Sequence, residues 1–147
     1  MNRFAEMDHV RDLLESQLLG VMATSGPEGP HASLVAFASS MDSHTLVLAT
    51  PITTRKYANI LKEPRVALLV DNRSNQNADC HSAAAVTAYG QAQVLPPGQV
   101  GKWMDIYLHK HPHLVDFIHA PSCALVSISV ARYSLVTSFQ QVSEIFL

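Results

Sequence analysis

Residues 45–70, TLVLATPITTRKYANILKEPRVALLV, hold the pattern on which the fold turns. Leu46-Val47-Leu48-Ala49 is an apolar run of strand length, and Thr50 to Thr53 breaks it. Tyr57, Ile60 and Leu61 then recur at helical spacing, and Pro64 stops the helix ahead of the β-rich run Arg65 to Val70. The stretch predicts a strand over Thr45–Ala49, a short loop, a helix over Thr53–Lys62 and another strand.

Outward toward the N-terminus, His31 to Ser39 and Val21 to Thr24 flank the turn segment Ser25-Gly26-Pro27-Glu28-Gly29-Pro30, which predicts a hairpin. In its second strand Ala32, Leu34, Ala36 and Ala38 share one face, and His31, Ser33, Val35 and Phe37 the other. Met7, Val10, Leu13, Leu14 and Leu18 mark a helix that Gly20 ends.

Toward the C-terminus, the polar run Asp71 to Asp79 predicts a mobile loop before a strand over Ala84–Val94. Pro97 suits a helix first turn, and Val100, Trp103, Met104, Tyr107 and Leu108 form an amphipathic face, which at this spacing is core or interface packing and carries no cofactor role. A short helical piece follows around Leu114, Phe117 and Ile118. Ala124 to Ala131 alternates as a strand, and Ser134 to Phe139 supplies the last one. Six or seven strands joined mostly by short turns make the fold class mainly β: an antiparallel β-barrel with helices packed outside.

A chain of 147 residues fits one domain, expected over residues 1–147. Hydrophobic residues make up 48% and charged residues 15%, so part of the surface calls for a cover, and a partner subunit would serve. A net charge of −2 supplies no broad positive field for nucleic acid. No stretch has transmembrane length or a signal core, and Cys80 and Cys123 make neither a disulfide framework nor a metal pair, so a cytoplasmic protein is expected.

The chemical signal sits where the strand ending at Ala49 delivers Thr50, and Thr53-Thr54-Arg55-Lys56 opens the helix. Hydroxyls, two cations and the unpaired amides of a helix start converge there, as a phosphate cradle requires. Arg55 offers a planar fork and Lys56 a point charge. The plainer alternative makes Thr53 a helix cap, leaves Arg55 and Lys56 on a solvated face, puts Tyr57 on the buried face and leaves Asn59 merely exposed.

Thr50-x-x-x-Thr54-Arg55-Lys56, eight residues on to Pro64, then Arg65-Val66-Ala67-Leu68-Leu69-Val70, resembles the pyridoxamine-5'-phosphate-oxidase-like FMN-binding family. Gly29 to Val35 and Ala88-Tyr89-Gly90-Gln91-Ala92 fall where that family has strands, and the resemblance spans about residues 10 to 139. It implies a split barrel working as a homodimer, with FMN at the subunit interface. Thr54, Arg55 and Lys56 would hold the FMN phosphate with Thr50 and the Ala49 backbone nearby, while Ser33, Leu34 and Val35 would lie along the isoalloxazine edge.

The chain also departs from the true oxidase pattern: Ser33 stands where that enzyme has an arginine, small or apolar residues run on to Ala38 in place of a lysine, and Ala85 lies near the position of a flavin-contacting glutamine. The segment Ser134 to Leu147 offers neither tryptophan nor arginine for a substrate phosphate. The resemblance therefore implies a flavin-dependent oxidoreductase acting on an unidentified small molecule, with no side chain that announces itself as acid or base. A non-catalytic FMN or electron-transfer protein is one alternative. A haem-binding or haem-degrading split barrel, with His81 or His111 as axial ligand, is another.

His109, His111, His113 and His119 form a histidine-rich stretch. Alternate residues of a helix point about 200° apart, so no shared metal is expected, and solvated helix-end histidines are the simpler reading.

Overall fold

Gly26 and Gly29 face each other across a two-residue turn, Pro27-Glu28, which joins β1 (Leu19–Gly26) to β2 (Gly29–Ser39). Gly29 has a φ of 103°, open to glycine and strained for other residues, so the turn is as tight as the Gly/Pro content suggests. The strands extend to the hairpin tip, beyond the Thr24 and His31 boundaries expected. The computed structural model describes residues 2–138 and 140–147.

β3 (Thr45–Pro51), α2 (Arg55–Lys62) and β4 (Arg65–Asp71) follow the predicted order, after α1 (Arg3–Ser16). Next come α3 (Asp79–Ser82), β5 (Ala85–Val94), α4 (Val100–Lys110), α5 (Val115–His119), β6 (Cys123–Thr137) and β7 (Gln141–Phe146). The sheet runs β3-β2-β1-β4-β5-β6, and the antiparallel pairing of β3 with β6 from Thr45↔Ser129 to Pro51↔Cys123 closes it into a six-stranded barrel. β7 adds to the far half of β6. The fold is mainly β, with one strand outside the closed barrel.

Met22, Phe37, Leu48, Leu68, Val86, Ile128 and Tyr133 fill the barrel, and Val10, Leu13 and Leu14 of α1 pack onto the same core. A second apolar layer lies outside β2, β3 and β6, where Ala38, Val47, Ala49 and Leu125 meet Tyr107 of α4 and Ile118 of α5. Every residue from Leu46 to Thr50 is buried, because β3 is covered on both faces; this explains a run with no polar alternation.

Several predicted boundaries move. The first helix begins at Arg3, capped by Asn2, and ends at Ser16; Leu18 is exposed and Leu19 already pairs with Ala36. Gly20 is not a helix stop: it lies within β1, where a Cβ would sit 3.0 Å from the Leu69 carbonyl. The strands expected over Ala124–Ala131 and Ser134–Phe139 are one strand of 15 residues, β6, and Phe139 itself lies outside the described residues. Their apparent break is a bulge. Tyr89 faces Arg132 while Gly90 faces Val130, so Ala131 is the extra residue, and the inward positions shift from Val126, Ile128 and Val130 to Tyr133 and Leu135. A side chain on Gly90 would collide with the Ser129 carbonyl.

The Asp71 to Asp79 segment has internal structure. The Asp79 carboxylate accepts hydrogen bonds from the Ser74 and Gln76 amides and the Ser74 hydroxyl, and these bonds hold its carboxyl below the ordinary range. On the opposite side of the barrel wall from Met22 and Leu68, Val21 pairs with both Leu34 and Leu69, and Ala23 with both Ala32 and Ala67. This makes an apolar outer face on β2, β1 and β4. Among the described residues no helix is long and apolar enough to cross a membrane.

Candidate functional site

The β3–α2 junction is built on two threonines. Thr54 is the N-cap of α2: its hydroxyl accepts from the Tyr57 amide at 3.2 Å and donates to the Pro51 carbonyl at 2.9 Å. Thr50, fully buried, lies 3.0 Å from it, hydroxyl to hydroxyl. The cap falls at Thr54 instead of Thr53, because Thr54 has the extended backbone that turns its side chain back over the first turn. The next two residues, Arg55 and Lys56, present amides with no acceptor inside the helix.

The two cations differ. Arg55 is exposed and reaches over the hairpin tip to Glu28, 3.3 Å from guanidinium to carboxylate. Lys56 is 8% exposed, and burial alone pushes its ammonium below the ordinary value. No hydrogen bond or ion pair joins it to any described residue. The side chain is mostly enclosed while its ammonium is partly desolvated and has no partner among the described residues, which leaves it available to an anion.

Asn59, expected as an exposed position, is 4% exposed and donates through Nδ2 to the Thr24 hydroxyl at 3.0 Å. It ties α2 to β1, and a side chain on Gly26 would collide with its amide. Ile60 is buried as expected, but Leu61, expected on the same face, is exposed, and Lys56 is buried instead. The inward stripe is therefore rotated and contains Lys56 and Asn59. Their i, i+3 spacing is the signal that could have found Asn59; nothing in the turn sequence singled out Glu28.

Beside the junction the barrel wall opens. β2 and β3 pair only at Phe37↔Leu48, Ala38↔Val47 and Ser39↔Leu46, although β2 reaches back to Gly29 and β3 on to Pro51. The two-residue turn makes Gly26 and Gly29 a hydrogen-bonded pair, so odd-numbered residues of β2 bond to β1. The peptide groups of Ala32 and Leu34 point to the other edge, where no strand meets them. Leu34 is 66% exposed and Val35 is buried in the barrel, while the enclosed Ser33 hydroxyl has no partner among the described residues. Ser33, Leu34 and Val35 thus lie on the strand beside Ala49 and Thr50, with Thr54, Arg55 and Lys56 at the open end.

The histidine stretch is different. His111 is 1% exposed, its Nε2 2.7 Å from the Phe37 carbonyl, so it is a core residue instead of a solvated helix end. Next to it, Lys110 donates to the Leu14 carbonyl at 2.7 Å and sits 3.9 Å over the Phe37 ring. Burial pushes the Lys110 ammonium down to about 8, with the Glu15 charge opposing. His81 is exposed on α3. No group of three or more metal-binding side chains occurs among the described residues.

Residues 7–136 match the pyridoxamine 5'-phosphate oxidase family. No curated protein matches the chain. Among solved structures, the haem-binding protein of Mycobacterium smegmatis superposes with a TM-score of 0.86 at 19% identity, over 99% of this chain and 60% of that one, so the chain spans under two thirds of that relative. A FAD-binding protein of Mesorhizobium loti gives 0.71 at 18% identity, covering 88% of this chain and 90% of the other. A putative pyridoxamine 5'-phosphate oxidase of Listeria innocua gives 0.70 at 18%, covering 89% and 98%. At these identities the likeness is one of fold. With a family match that leaves out only the two chain ends and a barrel closed by β3 on β6, the chain belongs to the pyridoxamine 5'-phosphate oxidase family.

Proposed function

We propose that the chain binds FMN and works as a flavin-dependent oxidoreductase on a small molecule. The observation that carries this reading is Lys56, a lysine only 8% exposed whose ammonium has no partner among the described residues, at a helix start whose free amides also favour an anion. The phosphate would be held by Lys56, the Arg55 fork and the amides after Thr54. Thr50 and Thr54 keep that turn in shape. The open edge of β2 at Ala32 and Leu34 offers peptide donors and acceptors to the polar rim of an isoalloxazine.

Bound there, the flavin would supply hydride transfer, and the protein position and water exclusion. The apolar outer face around Val21, Leu34 and Leu69 would be covered by a second copy, which would also shield the flavin. Absorption spectra before and after addition of FMN and desalting test the reading. Retained flavin bands would support it, and a colourless protein would overturn it.

Haem is a second reading, raised by the Mycobacterium smegmatis relative. His111, 1% exposed in the core, is inaccessible to such a ligand, whereas His81 is exposed on α3 and is the other candidate. A shifted Soret band on haem addition, lost in His81→Ala, would favour it.

A further inference from the structure

A cavity of about 330 Å³ lies on the other side of Arg55, between the β1–β2 hairpin and α2. Arg55, Asn59 and Lys62 line it at i, i+4 and i+7, one face of the helix, and the hairpin contributes Pro30 and His31 opposite. Its volume is at the low end for small-molecule sites. The walls hold two permanent cations against one carboxylate, Glu28, which is already engaged with Arg55. Asn59 adds a polar group fixed in place: its Nδ2 is held by Thr24, and its amide oxygen, on a residue 4% exposed, has no donor among the described residues.

We propose that this cavity receives the nucleotide arm of a dinucleotide flavin, so that the chain binds FAD in preference to FMN. The proposal rests on the flavin reading above and extends it from the phosphate next to Lys56 past Arg55. The guanidinium of Arg55 borders both places, so a second phosphate there exchanges the Glu28 carboxylate for a ligand anion. Lys62 adds a further charge, Asn59 an acceptor for an exocyclic amine, and Pro30 and His31 flat surfaces for a base.

The test is a fluorescence titration of the flavin-free protein with FMN, with FAD, and with 5'-AMP added to FMN-loaded protein, for the wild type and Lys62→Ala. FAD should bind about tenfold tighter than FMN, as one charge-assisted contact allows, and Lys62→Ala should remove that advantage while leaving FMN affinity unchanged. Equal affinities, or a FAD advantage that survives Lys62→Ala, would overturn the proposal and leave FMN binding standing. AMP binding to the FMN-loaded protein without any FAD preference would also overturn it, in favour of a separate nucleotide. Failure of both flavins to bind would remove the flavin reading itself.

Discussion

Two lysines, Lys56 of α2 and Lys110 of α4, pack against the barrel, and among the described residues only Lys110 has partners. Lys110 is satisfied by the Leu14 carbonyl and the Phe37 ring, and its neighbour His111 by the Phe37 carbonyl. Lys56 also loses water, with a smaller effect on its ammonium, and has no partner among the described residues. A buried cation whose bonds are made belongs to the architecture. One whose bonds are not made points to a ligand, and the two classes should respond to mutation in opposite ways.

The largest expected effect falls on the ligand side. Arg55→Ala with Lys56→Ala should weaken FMN binding by about 3 to 6 kcal/mol, two charge-assisted contacts, in a fluorescence titration. Unchanged affinity would remove the phosphate assignment. At the other end, His111→Leu leaves the Phe37 carbonyl without its donor and should cost about 2 kcal/mol in urea denaturation, with FMN affinity unaltered. A loss of flavin in that variant would mean the two ends are coupled.

The sharpest contrast uses one substitution at both lysines. Lys56→Met should stabilise the flavin-free protein by about 1 kcal/mol, because it removes an uncompensated charge, whereas Lys110→Met should destabilise it. The same sign at both positions would break the comparison.

The smallest effect is in pH. Burial holds the His111 imidazole below its ordinary value, against the Phe37 hydrogen bond that raises it, and the charges of Lys110 and His113 push it further down. The unfolded chain therefore takes up the proton first as pH falls. Stability should be intact above about pH 6.5 and decline below it until the folded imidazole also titrates. Urea midpoints between pH 7 and pH 5 measure this decline, and His111→Leu should flatten it. An equal slope in the variant would assign the acid sensitivity to other groups.

The strand–turn–helix–strand order of residues 45–70 was legible because each element declares itself within a few neighbours, by apolar runs, helical spacing and Pro64. The proposed cradle could be singled out for the same reason: its members lie within seven residues, Thr50 to Lys56. The helix face was misread because Lys56 and Asn59 look solvated on composition, and the last strands because alternation cannot show the extra residue Ala131. The bulge depends on Gly90 of a neighbouring strand, where the backbones approach too closely for a side chain.

The sequence by itself determined the mainly β antiparallel character, most of the element order and the clustering of hydroxyls and cations at one strand–helix junction, since all three depend on short-range periodicity and on groups adjacent in the chain. Tertiary structure alone decided which buried polar groups are complete. Lys110 meets Leu14 across 96 residues, His111 meets Phe37 across 74 and Asn59 meets Thr24 across 35. Those partners meet only when the helices dock on the sheet, and the same docking leaves Lys56 with no partner among the described residues.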